Sequence, residues 1–188
     1  MAINAETERG KLMFADDKER LEAEMMARPI SSEKAYAYFG TMLGTFPPLA
    51  LFTRFMLDTN GFRGEEVWLV GVLAIANVIS AIVGYFSGKT ISRMVSKLEK
   101  LPWTTMILIL PFVGILWGIL SGGAGGAVIF LIGAIFGAML GAMVGSFALP
   151  VFTIFHRLLK KGDQIEQKHF LPLAFGITFI ISAFMLGL

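Results

Sequence analysis

From Gly122 to Gly145 the chain reads GGAGGAVIFLIGAIFGAMLGAMVG, without a charge and with a glycine at every fourth position: 133, 137, 141 and 145. A four-residue interval returns to nearly the same face of an α-helix, so these glycines line one groove along it. In lipid such a groove lets a second helix approach to backbone contact. The segment predicts a membrane helix packed tightly against another.

The 188 residues are 55% hydrophobic and 16% charged, with a mean hydropathy of +0.71. A soluble domain carries nearer about 25% charged residues, and the apolar residues here fall in blocks of membrane-crossing length. The reading is an all-α integral membrane domain over 35–188, preceded by a charged helical arm over 1–34. A net charge of +2 without a dense basic run argues against a nucleic-acid partner. The lack of cysteine excludes disulfides, thiolate metal sites and cysteine nucleophiles. The arm has neither the apolar run of a secretory signal nor the acid-poor composition of a transit peptide, so the first span is expected to act as an uncleaved anchor.

Within the arm, 7–28 has helix-forming composition, with Asp16/Arg20 and Glu24/Arg28 as acid-before-base pairs and Phe14, Leu21 and Met25 as a thin apolar stripe. That suits a solvated surface helix or a docking helix for a partner subunit. Pro29 ends it, and Ser31 or Ser32 caps the next helix.

Five transmembrane spans are expected near 35–57, 67–88, 103–120, 127–149 and 170–188. Lys and Arg divide 14 to 2 between alternate loops, which places the N-terminus in the cytoplasm or matrix and the C-terminus outside. A bacterial or a mitochondrial inner membrane fits. A shift of 61 residues lays Ala81–Phe86 on Ala142–Phe147 and Leu110-Pro111 on Leu171-Pro172, which predicts a duplicated two-helix hairpin made of spans two and three, then four and five.

The expected helix-packing residues are Ser80, Gly84 and Gly88 in span two and Gly133, Gly137, Gly141 and Gly145 in span four, and these two faces are expected to meet. Gly40/Gly44 and Gly114/Gly118 are weaker pairs. Gly122–Gly126 reads as a tight outer turn rather than a phosphate loop, having no Lys-Ser/Thr after it.

Pro47 and Pro48 remove two backbone donors from span one, so a kink or short unwound segment is expected there, with Thr41 and Thr45 at hand for freed carbonyls. Pro111 predicts a second kink, and Pro150 and Pro172 fall near span ends. Asn77 is the one amide deep in a span and suits a bond across helices. A broken helix can also line a solute pathway.

No Asp, Glu, Lys, Arg or His sits at mid-membrane depth, which argues against a proton relay or an ion-coupled carrier. Arg54 can snorkel to the outer interface. His156 and His169 read as interfacial residues, and Tyr36, Trp68 and Trp103 as members of aromatic belts. Lys89, Arg93, Lys97, Lys100, Arg157, Lys160 and Lys161 set topology or touch anionic lipid headgroups.

No nucleophile–base set or ligand cluster stands out, so no enzyme, cofactor or metal is expected. The expected function is a non-catalytic accessory or scaffold subunit of a larger membrane complex, assembled through its glycine faces, with other membrane subunits and lipid as partners. The alternative is a small channel or carrier, homo-oligomeric or pseudo-symmetric, moving a small solute.

Overall fold

The computed structural model describes residues 28–58 and 67–188. The arm helix expected over 7–28 lies outside them, apart from Arg28. The described chain is all-helical but for one short ribbon. In order it runs β1 (Pro29–Ser31), α1 (Ser32–Asp58), α2 (Val67–Leu98), α3 (Trp103–Gly126), a 3-10 turn (Ala127–Ile129), α4 (Phe130–Leu159), β2 (Gln164–Glu166) and α5 (Gln167–Leu186).

Three helical stretches are long and apolar enough to cross a membrane: Trp68–Leu98, Trp103–Leu159 and Gln167–Leu186. The second is folded back on itself, because α3 and α4 lie antiparallel across the 3-10 turn. The helix α1 is not among the three. Its threonines, two prolines and Arg54 dilute an otherwise apolar segment.

Two antiparallel hairpins, α1/α2 and α3/α4, carry the close packing. In the second, a Cβ placed on Gly114, Gly118, Gly122 or Gly126 would lie 2.0, 1.8, 2.1 or 2.0 Å from the carbonyl oxygen of Gly145, Gly141, Gly137 or Gly133 respectively. No side chain fits at those distances, so the two backbones touch along four successive turns. In the first hairpin, a Cβ placed on Gly40, Gly44 or Gly88 would lie 2.1, 2.5 or 2.4 Å from the carbonyl oxygen of Gly84, Ser80 or Tyr36 respectively.

This pairing overturns the expected meeting of spans two and four. Each glycine face is occupied by the helix just before it in the chain. A short connection brings consecutive helices together at the smallest loop-closure cost. The three residues Ala127–Ile129 leave α4 little choice but to lie on α3. Nor is Gly122–Gly126 a turn: it is the last part of α3, and Gly122 and Gly126 complete its glycine face. In an apolar setting, helix is the conformation that satisfies backbone groups within the segment.

The 61-residue offset has a counterpart, with different hairpins. It carries Gly84 onto Gly145 and Ser80 onto Gly141, and their partners Gly40 and Gly44 correspond to Gly114 and Gly118. The equivalent units are therefore α1/α2 and α3/α4, not spans two–three and four–five.

Helix α1 is helical straight through Pro47 and Pro48, so the expected unwound segment is absent. Neighbours serve this stretch: the Thr45 hydroxyl donates to Thr41 O at 2.7 Å, and Asn77 Nδ2 donates across from α2 to Thr45 O at 2.9 Å. Pro111 also lies within continuous helix, and Pro150 lies inside α4, which extends to Leu159.

The expectations from sequence did not include the ribbon. β1 pairs antiparallel with β2, Ile30 opposite Ile165, and Ile165 is buried. Ser32 N and Oγ both donate to Asp163 O, at 3.0 and 3.2 Å, and Gln167 N donates to Arg28 O at 3.2 Å. Ser31 Oγ accepts from Lys34 N at 3.4 Å, capping α1.

Beneath the ribbon, all five helices contribute to one buried core, among them Tyr36, Phe39, Val95, Met106, Phe152 and Phe170. Phe39 and Phe152 stack with ring centroids 4.0 Å apart, and Tyr36 meets Phe152 edge-on at 5.1 Å. The core thus lies toward the lysine-rich end, and the glycine seams run away from it.

Candidate functional site

At the lysine-rich end most candidate lipid-binding cations already have internal partners. Lys160 pairs with Glu99 in a half-sealed setting between α2 and α4. The Arg157 guanidinium lies 4.2 Å from the Trp103 ring centroid and also points Nη1 at Met106 Sδ, 3.2 Å away. Arg93 reaches Glu33 at 3.7 Å, and Lys89 sits over the Tyr85 ring at 4.9 Å. Lys161 and Lys168 converge on Glu166 at 3.0 and 2.7 Å. Among the described residues, Lys97 and Lys100 make no ion pair and remain outward.

The Lys168 and Lys161 ammonium groups, in that order, hold the Glu166 carboxyl down at about 2. This places a fixed negative charge on β2, between two cations. The β1–β2 ladder, with the bonds from Gln167 N to Arg28 O and from Ser32 to Asp163 O, makes a clasp where the arm joins the helical body, and Glu166 lies on it.

The two histidines part company. His156 is fully buried against the Tyr36 and Phe152 rings, and neither ring nitrogen has a hydrogen-bond partner among the described residues. The expectation of an interfacial residue fails for it, because α4 carries His156 into the core below Phe152. His169 is partly exposed, with Nδ1 3.9 Å from Glu166. Tyr36 is likewise no belt residue: it is buried, and its hydroxyl donates to Thr153 Oγ1 at 3.0 Å. Among the described residues no three His, Asp or Glu side chains gather as metal ligands would.

At the opposite end lies a half-open hollow of about 240 Å³ between the two hairpins. Pro47 and Pro48 form part of its α1 wall, Ala76 and Ser80 its α2 wall, and Trp117 its base. Its lining is almost entirely carbon. Its two hydroxyls are both engaged: Ser80 Oγ donates to Ser121 O at 3.3 Å, and Ser121 Oγ donates to Trp117 O at 3.1 Å. Of the kink and pathway candidates, Pro47 and Pro48 reach this hollow, while Asn77 is spent on the α1 backbone and Pro111 lies elsewhere in α3.

Sequence reasoning missed the clasp and the hollow. The clasp had a weak signal in the alternation of polar and apolar residues in Pro29-Ile-Ser31 and Gln164-Ile-Glu166. The hollow had none, because it is a gap between elements. The second glycine row could have been found: Gly114, Gly118, Gly122 and Gly126 mirror Gly133, Gly137, Gly141 and Gly145 about the turn. Comparison of the chain with known protein families, with curated proteins and with solved structures finds no match to any of them.

Proposed function

We propose that the chain is a non-catalytic membrane subunit of a larger complex and that its N-terminal arm, rather than its glycine faces, engages the partner. The glycine faces are filled by the chain's own helices. The observation that carries the reading is the clasp. The β1–β2 pairing, the bond from Gln167 N to Arg28 O and the bonds from Ser32 N and Oγ to Asp163 O hold the start of α1 and the start of α5 together where the arm begins. Such an anchor gives the preceding 27 residues, rich in acids and bases, a fixed point of departure at the face of the membrane.

In this reading all five helices are membrane segments, the arm and the lysine-rich loops lie on the cytoplasmic or matrix side, and the C-terminus lies outside. The excess of Lys and Arg at the end that holds the clasp supports this orientation. Outward Lys97 and Lys100 are then the cations free for anionic headgroups.

The test is purification from the native membrane in mild detergent, with native mass spectrometry of the full chain and of a chain lacking residues 1–27. The full chain should carry distinct partners at fixed ratio, and the shortened chain should remain in the membrane and lose them. A full chain that migrates alone would end the proposal. A second reading, a small channel or carrier, draws on the hollow beside Pro47 and Pro48. Trp117 in its lining packs against Phe39, which stacks on Phe152. Solute uptake by liposomes holding the pure chain would favour it.

A further inference from the structure

The two hairpins end at different heights. Gly44 abuts the Ser80 carbonyl and Ser80 Oγ bonds to Ser121 O, so α1, α2 and α3 share a common level there. Beyond it α1 runs 14 residues to Asp58 and α2 runs 13 to Val67, about 20 Å each at 1.5 Å per residue. Helix α3 has five residues left, to Gly126, and the 3-10 turn adds three, in all about 14 Å. The second hairpin therefore stops roughly 6 Å short of the first. Helix α5 reaches the higher level, since Arg54 Nη1, near the end of α1, donates to Met185 O at 3.2 Å.

The chemistry of the two tips follows their heights. Asp58 ends α1, and the sequence between it and α2 contains Arg63, Glu65 and Glu66. From Gly122 to Gly145 there is no polar side chain at all, and at the tip Phe130, Leu131 and Ile132 are 86, 76 and 70% exposed. A tip of that composition would be costly in water, where each buried CH₂ is worth about 0.8 kcal/mol. The turn also keeps its backbone engaged, Ala127 N–H bonding to Gly123 O, as lipid requires.

The hollow is lined by residues on both sides of this step. Its tall walls are Pro48 and Phe52 of α1, Ala76 of α2 and Met185 of α5, and the tip glycines Gly126 and Gly133 form the low side. No charged side chain lines it. At about 240 Å³ it is smaller than the roughly 300–1,000 Å³ pockets that enclose drug-sized ligands, and it suits part of one hydrocarbon chain.

We propose that the α3/α4 hairpin ends inside the bilayer and that the hollow beside its tip binds a lipid acyl chain from the leaflet at the lysine-poor end. This rests on the membrane reading above but not on the partner. A tip below the headgroups leaves a recess among taller helices at hydrocarbon depth, where the molecules present are acyl chains. The carbon lining matches such a guest, and the two hydroxyls in it are engaged on carbonyl oxygens.

The chain has no cysteine, so single cysteines report without background. Full chains with Asp58→Cys, Lys100→Cys or Ile129→Cys, in phosphatidylcholine nanodiscs that expose both faces, would be treated with a membrane-impermeant maleimide. Positions 58 and 100 should react and position 129 at least tenfold more slowly, with full reaction after denaturation in sodium dodecyl sulfate. Equal rates at 58 and 129 would overturn the proposal. Silence at 58 and 100 as well would remove the membrane reading itself.

Occupancy of the hollow is read at Trp117, which lines it and is otherwise buried. In a Trp68→Phe, Trp103→Phe chain, lipids brominated on the acyl chain should quench Trp117 fluorescence, and Leu140→Phe, which narrows the wall, should relieve the quenching. Trp117 emission that ignores the bromines, or quenching that Leu140→Phe leaves unchanged, would show that no chain enters.

Discussion

The two hairpins are built on one pattern and finished differently. Both bring antiparallel backbones into contact at the equivalent pairs Gly40–Gly84 and Gly114–Gly145. In α1/α2 the seam is three contacts long, its outer part is closed by Asn77 on Thr45 O, and its connection is polar. In α3/α4 the glycines continue to the turn, and the tip is hydrocarbon throughout. Between equivalent seam positions, 44 to 80 and 118 to 141, the second hairpin is 13 residues shorter. The same close packing is thus compatible with a polar connection and with an apolar one. What separates them is the length and polarity of the connection.

The sharpest break should come at the tightest contact. Gly118→Leu sets a side chain 1.8 Å from the Gly141 carbonyl, so α3 and α4 must separate. A loss of about 3 kcal/mol or more is expected, overpacking at its upper end, read as loss of the folded species in thermal unfolding in detergent. Gly137→Leu acts in the same way, by breaking the chain's own hairpin. A Gly118→Leu chain as stable as the parent would remove the seam as the source of cohesion.

The hairpins meet in the aromatic core. Phe152→Ala removes the ring stacked on Phe39 and should cost about 3–5 kcal/mol. If the hairpins were held by their seams alone, the change would leave the melting temperature unmoved. Tyr36→Phe tests one polar link across the same junction. Loss of its bond to Thr153 should cost about 1 kcal/mol, and Thr153→Val made on top of it should add little, which a double-mutant cycle measures.

The clasp gives a pH signature. Because the Glu166 carboxyl is held at about 2, its contribution is complete above the ordinary value of 4.5 and is lost as pH falls from there toward 2. Glu166→Gln should flatten the stability profile in that window and leave the slope at higher pH as it was. An unchanged acid limb would assign it to other groups. The smallest effect has the opposite sign. Gly71 in α2 faces open space, so Gly71→Ala should raise stability by up to about 1 kcal/mol through helix propensity alone. A loss there would reveal a neighbour that the seam pattern does not include.

Local physics was legible in the residues. The apolar blocks located the five helices of the described residues, although α2 runs on past 88 to Leu98. The glycine periodicity identified faces that must touch a backbone. Partner choice was not legible, because a bare glycine face accepts any helix that offers another. Gly122-Gly-Ala-Gly-Gly126 misled because glycine-rich composition reads as turn in water, while in an apolar setting the same residues stay helical and serve as a contact surface. His156 misled because a position three residues before the end of α4 is interfacial by count, yet it is fully buried against the rings of Tyr36 in α1 and Phe152.

By itself, the sequence determined that the chain is helical, that its helices suit lipid, and which faces lie bare of side chains. These follow from composition and from a 3.6-residue period, properties of each segment alone. Only the tertiary structure decided that α1 pairs with α2 and α3 with α4, that Ile30 and Ile165 form a clasp across 135 positions of chain, and that unequal hairpins leave a hollow between them. Those features depend on where one segment ends relative to another. The relative height of two helix ends is set by packing across the whole molecule, and no window of sequence contains it.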